Sequence, residues 1–175
     1  MSLVLQSSGG GQITIQEPAT ASNFTQTLPA ATGTVMVSGN QPAFSAYQSS
    51  AQSVANSTST KVQFQTVSFD TANKFTSNTT YTPNVAGYYQ VNAFVSFSFT
   101  AGPMVTAIYK NGGAQSYTVA GASTGGATAI TTALIYMNGT TDYLEVYTTQ
   151  FGGGSQNITA LNYATYFQAS MVRAA

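Results

Sequence analysis

Asp142 and Glu145 form the one close carboxylate pair in the chain, and a pair of carboxylates flanking the scissile bond is what glycoside hydrolysis uses. Their spacing argues against that chemistry, because positions three apart on a strand point to opposite faces. The other acid and base candidates are Glu17, Asp70, Lys61, Lys74 and Lys110. Histidine and cysteine are both absent. A serine nucleophile would therefore lack its base, and thiolate chemistry, disulfides and cysteine metal sites fall together. Gly125-Gly126 and Gly152-Gly153-Gly154 follow no strand-to-helix pattern and have no phosphate-loop lysine, so they read as loops. The Asn-x-Ser/Thr triplets at Asn23, Asn56, Asn78, Asn138 and Asn157 are what so much Asn, Ser and Thr yields by chance. No catalytic residue and no cofactor is expected.

The aromatic residues are the remaining candidates for contact with other molecules. The chain holds 11 Tyr and 10 Phe, more than a core of this size requires. Tyr109, Tyr117, Tyr147 and Phe151 fall near expected loops or strand ends, where rings beside Asn and Gly can stack on sugars or on a partner. The competing reading, in which they fill the interior and a subunit interface, carries more weight.

Composition sets the frame that must position these rings. Only 5% of the 175 residues are charged, with four Lys plus Arg against four Asp plus Glu. A net charge of zero leaves no electrostatic footprint for nucleic acid or an anionic membrane. Low charge favours association, so a subunit of an assembly is expected. No run approaches the roughly 18 apolar residues of a membrane span, so membrane insertion is not expected. Met1-Ser2-Leu3-Val4-Leu5-Gln6 has neither a basic leader nor a signal-peptide apolar core. Synthesis in a host cytoplasm is expected, with release in a particle by lysis as one route outward.

Strand signals dominate. Tyr89, Val91, Ala93, Val95, Phe97 and Phe99 alternate with Gln90, Asn92, Phe94, Ser96 and Ser98, a period of two with one apolar and one mostly polar face. Thr132, Leu134 and Tyr136 alternate with Ala133, Ile135 and Met137, and Leu144 and Val146 with Tyr143, Glu145 and Tyr147. A strand apolar on both faces suits a sandwich that also packs on a neighbouring subunit. Asn111-Gly112 and Asn138-Gly139 are turn dipeptides whose residues tolerate positive φ. No segment has a helical period. The class is all-β, a sandwich or jelly roll.

Phe64, Asp70, Phe75, Tyr81, Gly87 and Tyr89 stand in a spacing that resembles the signature of the C1q-like globular head. That head is the jelly roll shared by complement and tumour-necrosis-factor-like proteins, in which a glycine opens a long aromatic-rich strand. Ala43-Phe44-Ser45-Ala46 resembles the family's first strand, Ile108-Tyr109-Lys110-Asn111-Gly112 its middle hairpin, and Thr165-Tyr166-Phe167-Gln168-Ala169 its last strand. The Phe75 to Tyr81 step is one residue short, Val91 and Ala93 replace aromatics, and Ala169 replaces a glycine. The resemblance covers 41–175 and implies an antiparallel jelly-roll head, assembled as a homotrimer. It also implies a turn role for Asp70 and for the Asn138 to Asp142 stretch. Some heads of this type hold calcium, which takes six or more oxygens, but no acidic cluster is present here.

Residues 1–40 differ. Leu3-Val4-Leu5, Ile13-Thr14-Ile15, Phe24-Thr25-Gln26-Thr27-Leu28 and Thr34-Val35-Met36-Val37 are short strand candidates punctuated by Gly and Pro. Such fragments need partner strands. The stretch from Ile13 to Val35 is similar to segments of bacteriophage tail-fibre and appendage proteins. A division into an anchor or stalk, 1–40, and a head, 41–175, is expected. Two functions follow from the resemblance. One is a non-enzymatic bacteriophage virion protein, a capsid decoration or short fibre on the virion surface, held to other virion proteins through 1–40. The other is a receptor-binding tail-fibre tip that recognises a host surface glycan or protein.

Overall fold

The computed structural model describes residues 2–16, 19, 25, 41–98, 102–123 and 125–175. The strand candidates at Phe24 to Leu28 and Thr34 to Val37, and Phe99 at the end of the alternating run, lie outside these, Thr25 apart. The chain divides into two compact units, 1–34 and 35–175. The expected boundary between 40 and 41 falls at the edge of residues that are not described.

In the first unit, β1 (Ser2–Gln6) and β2 (Gln12–Gln16) form an antiparallel hairpin in which Leu3 opposes Ile15 and Leu5 opposes Ile13. The turn is tied by the Ser7 N–H to the Gly11 carbonyl at 2.7 Å. Val4, Leu5, Ile13 and Ile15 are each more than half exposed.

The second unit is all-β among its described residues. Its strands are β3 (Ala43–Tyr47), β4 (Ser53–Val54), β5 (Thr60–Lys61), β6 (Thr66–Asp70), β7 (Phe75–Thr76), β8 (Thr80–Tyr81) and β9 (Gly87–Phe97). Then follow β10 (Pro103–Lys110), β11 (Gly113–Gly121), β12 (Ala127–Met137), β13 (Leu144–Gln150), β14 (Gln156–Asn157) and β15 (Tyr166–Ala174). One sheet runs β12-β9-β15-β3-β6; the other runs β11-β10-β13-β8-β7, with β5 also on β13. All the ladders are antiparallel, and the chain crosses from β9 in the five-stranded sheet to the β10-β11 hairpin in the six-stranded sheet and back to β12, which pairs with β9.

The period of two on β9 buries Tyr89, Val91, Ala93, Val95 and Phe97 between the sheets. The spaced signature of the sequence has a physical basis here. The Phe44 ring stacks on Tyr81 at 4.1 Å and on Phe75 at 5.2 Å, and meets Phe167 edge-on at 4.8 Å. Phe64 lies 5.5 Å from Phe167, and Tyr89 packs edge-on to Tyr81 at 6.2 Å. The aromatic signature residues are thus one cluster that joins both sheets. Asp70 accepts the N–H groups of Ala72, Lys74 and Phe75, the last two at 2.6 and 2.7 Å, and so fixes the turn into β7. Gly87 is required because a Cβ there would lie 2.4 Å from the Arg173 carbonyl oxygen.

Asn111 (φ 52°) and Gly112 (φ 78°) make the two-residue turn between β10 and β11 as expected. Asn138-Gly139 differs, since only Gly139 has a positive φ, 72°. The Asn138 side-chain oxygen instead accepts the N–H groups of Thr140, Thr141 and Asp142, an Asx turn that leads into β13. Where β11 and β12 meet, Ser116 and Thr118 hydroxyls donate to the Thr132 and Ile130 carbonyls, and Lys110 Nζ donates to the Tyr136 carbonyl. Strands of different sheets are thereby sewn together at that side of the sandwich.

Candidate functional site

Among the described residues two outward sheet faces each carry a group of aromatic side chains. On the six-stranded sheet, register places Tyr117 (β11), Ala107 (β10), Tyr147 (β13) and Lys61 (β5) in one cross-strand row. In a neighbouring row Tyr109 opposes Glu145. The Tyr109 and Tyr147 rings are 4.6 Å apart, and Lys61 Nζ sits 5.7 Å from the Tyr147 ring centre. Three of the four aromatic candidates, Tyr109, Tyr117 and Tyr147, are therefore brought onto one face. Tyr117 is 67% exposed and Ala107, one strand away, is buried, so the patch has rings at its sides and a methyl floor. Phe151 is not with them. It follows β13, donates its N–H to the Pro103 carbonyl and makes no ring contact with the three tyrosines.

Each member of the carboxylate pair has its own lysine. Glu145 Oε1 takes Lys61 Nζ at 2.5 Å and the Thr80 hydroxyl at 3.3 Å. Asp142 lies in the loop before β13, ion-paired with Lys110 at 2.7 Å and bonded by the Asn111 amide and the Asn138 N–H. Burial opposes ionisation of Asp142, but the Lys110, Asn111 and Asn138 donors hold its carboxyl below the usual range. The hydrogen bond to Glu145 raises Lys61 above the ordinary lysine value against a smaller desolvation. Asp142 is thus held as the carboxylate and Lys61 as the ammonium, so neither is a group poised for proton transfer near neutrality. Burial pushes the Tyr89 phenol up to about 12 and Tyr81 further still, which marks them as interior groups. Among the described residues no three His, Cys, Asp or Glu gather as a metal site.

The outward face of the five-stranded sheet was only partly visible in the sequence. Register aligns Tyr47, Tyr166, Phe94 and Ile130 in one row, and Ser45, Gln168, Asn92 and Thr132 in the next. Beyond these, Ala43, Ser170, Gln90 and Leu134 align, then Arg173, Tyr88 and Tyr136. Phe94 stacks on Tyr166, and Tyr88 tilts against Tyr136 at 5.5 Å. In the rows between, Gln90 Nε2 donates to Thr132 Oγ1 at 2.6 Å, and Thr132 Oγ1 donates to Asn92 Oδ1 at 3.0 Å, while Leu134 and Phe69 stand exposed. Phe94 and Tyr88 standing among Gln90, Asn92 and Ser96 were the available signal.

By sequence the chain matches no family model and no curated protein. By structure it is similar to murine APRIL, with a TM-score of 0.62 and 9% identity over 76% of this chain and 100% of that one. It is also similar to the globular domain of the zebrafish complement 1qA protein, with a TM-score of 0.59 and 14% identity over 78% and 100% of the two chains. Vertex protein P5 of phage PRD1 is similar with a TM-score of 0.57 and 15% identity over 76% and 96%. At such identities the likeness concerns the fold. The chain is an all-β, antiparallel jelly roll of the C1q and tumour-necrosis-factor type.

Proposed function

We propose that this protein is a non-enzymatic structural subunit of a bacteriophage particle, a trimeric appendage on the virion surface serving as capsid decoration or short fibre. The observation that carries the reading is the five-stranded sheet. Its outward face bears two aromatic rows, Leu134 exposed between them, and a Gln90–Thr132–Asn92 chain of hydrogen bonds. Such a face gains from burial of its rings and of Leu134, which makes it suited to contact with further copies of the chain. A closed ring of like subunits satisfies that need without leaving an open end. The exposed aliphatic hairpin of residues 2–16 supports a second attachment, to other virion proteins through residues 1–40. The similarity to a phage vertex protein supports the particle context. Gold-labelled antibody against the head, applied to purified particles and viewed by electron microscopy, tests the assignment. Label at regular positions on the shell or tail is expected, and particles that lack the protein would overturn it.

A further inference from the structure

The six-stranded sheet turns a different kind of surface outward. Glu145 belongs to its outer face by register with Tyr109, yet its side chain is only 7% exposed. A carboxylate this deep on an outer face is covered by its neighbours. Its Oε1 is engaged by Lys61 and Thr80, while no described residue donates to its Oε2. Beside that free acceptor stand the Lys61 ammonium, with 37% side-chain exposure, and the half-buried rings of Tyr109 and Tyr147. Tyr117 stands across Ala107, about two strand spacings or ~9.5 Å from Tyr147.

We infer that this patch binds an uncharged saccharide, with a sugar ring lying on the tyrosines over Ala107 and its adjacent hydroxyls bridging Glu145 and Lys61. Each sugar hydroxyl both donates and accepts, which matches a carboxylate oxygen beside an ammonium. The apolar ring face of a sugar matches the tyrosine rings. Charge complementarity excludes an anionic polymer, because Lys61 is balanced by Glu145 and the nearby Lys110 by Asp142, leaving no net attraction. A peptide added as a strand is excluded because β10 and β13 are interior strands whose main-chain groups are already paired. The inference rests on the proposed function only in placing the five-stranded face inside the trimer and this face outside.

The test is saturation-transfer NMR on the full chain with maltohexaose, chitotetraose and a galactan oligomer as probes and heparin as the charged control. Transfer to the ring C–H protons of at least one neutral probe is expected. Glu145→Gln should weaken that binding about tenfold or more, through loss of a charge-assisted hydrogen bond. Tyr117→Ala, at an exposed position that leaves folding intact, should weaken it as well, whereas Tyr163→Ala elsewhere on the surface should not. Absence of transfer from all three neutral probes, binding to heparin alone, or binding indifferent to both Glu145→Gln and Tyr117→Ala would each overturn the inference. A trimer found on particles that binds none of the sugars sinks this inference alone. A sugar-binding chain absent from particles sinks the proposed function alone.

Discussion

Phe94 and Tyr166 stack across β9 and β15 with ring centroids 5.1 Å apart and 17° between their planes, on the side of the sheet turned away from the core. Tyr47 and Ile130 extend the row on either side. A soluble monomer has little use for such an outward row. If the row is the seam of a homotrimer, Phe94→Arg places a cation where three chains meet. Light scattering should then report a monomer with an unchanged far-UV circular dichroism spectrum. A variant that remains trimeric would move the interface elsewhere.

The interior aromatic cluster is where the fold is most sensitive. Phe44 touches Phe75, Tyr81 and Phe167 and is fully buried. Phe44→Ala should cost about 3–5 kcal/mol in a urea titration. A loss under about 1 kcal/mol would mean that the site collapses around the gap.

Gly139 poses a backbone test. Its φ is 72°, and a Cβ would lie 2.4 Å from the Ala86 nitrogen. Gly139→Ala incurs the left-handed penalty of about 1–2 kcal/mol and must also displace the 85–86 backbone. Gly153, with φ 74° and open space around it, should show the conformational penalty alone. The difference between the two variants, measured by the same denaturation, isolates the close approach.

These positions also mark what a sequence can disclose. Tyr89 was legible because the alternation that buries it along β9 is local, whereas Phe64, Phe75 and Tyr81, which lie outside long strands, were marked only by the spacing that resembles the C1q-like head. The pairing of Lys61 with Glu145 was not, since the partners are 84 positions apart and Lys61 lies on a strand of only two residues. The row of Tyr47, Tyr166, Phe94 and Ile130 depends on the register of four strands, which is set by the whole sheet rather than by any one of them. Asn138-Gly139 is the turn its dipeptide indicates, but its kind was not legible: the Asn138 side chain accepts the N–H groups of Thr140, Thr141 and Asp142 in an Asx turn.

Asp142 gives the stability of the head a pH dependence of known sign. Its carboxyl titrates below the ordinary value in the folded chain because Lys110, Asn111 and Asn138 outweigh its burial. Its contribution is therefore complete above the unfolded value of about 3.9 and is lost as pH falls through the lower folded value. Asp142→Asn should flatten the acid limb of stability against pH while leaving the neutral-to-alkaline limb parallel to the parent. An unchanged acid limb would show that other carboxylates dominate it.

Among the described residues the hairpin of β1 and β2 is a sheet of two strands. Two strands without a third, or a covering layer, are marginal in water, and here Val4, Leu5, Ile13 and Ile15 are all exposed. No charged residue falls between Ser2 and Gln16 to protect the two open edges. Both features suit addition to a partner, with main-chain bonds supplying affinity and apolar side chains supplying burial. The head has its own core, whose buried residues run from Phe44 to Met171. A chain lacking residues 1–40 should therefore remain a folded trimer by circular dichroism and light scattering, yet fail to appear on particles in a quantitative immunoblot. Occupancy equal to that of the full chain would place the anchor in the head, and failure of the truncated chain to assemble would make residues 1–40 part of the trimer itself.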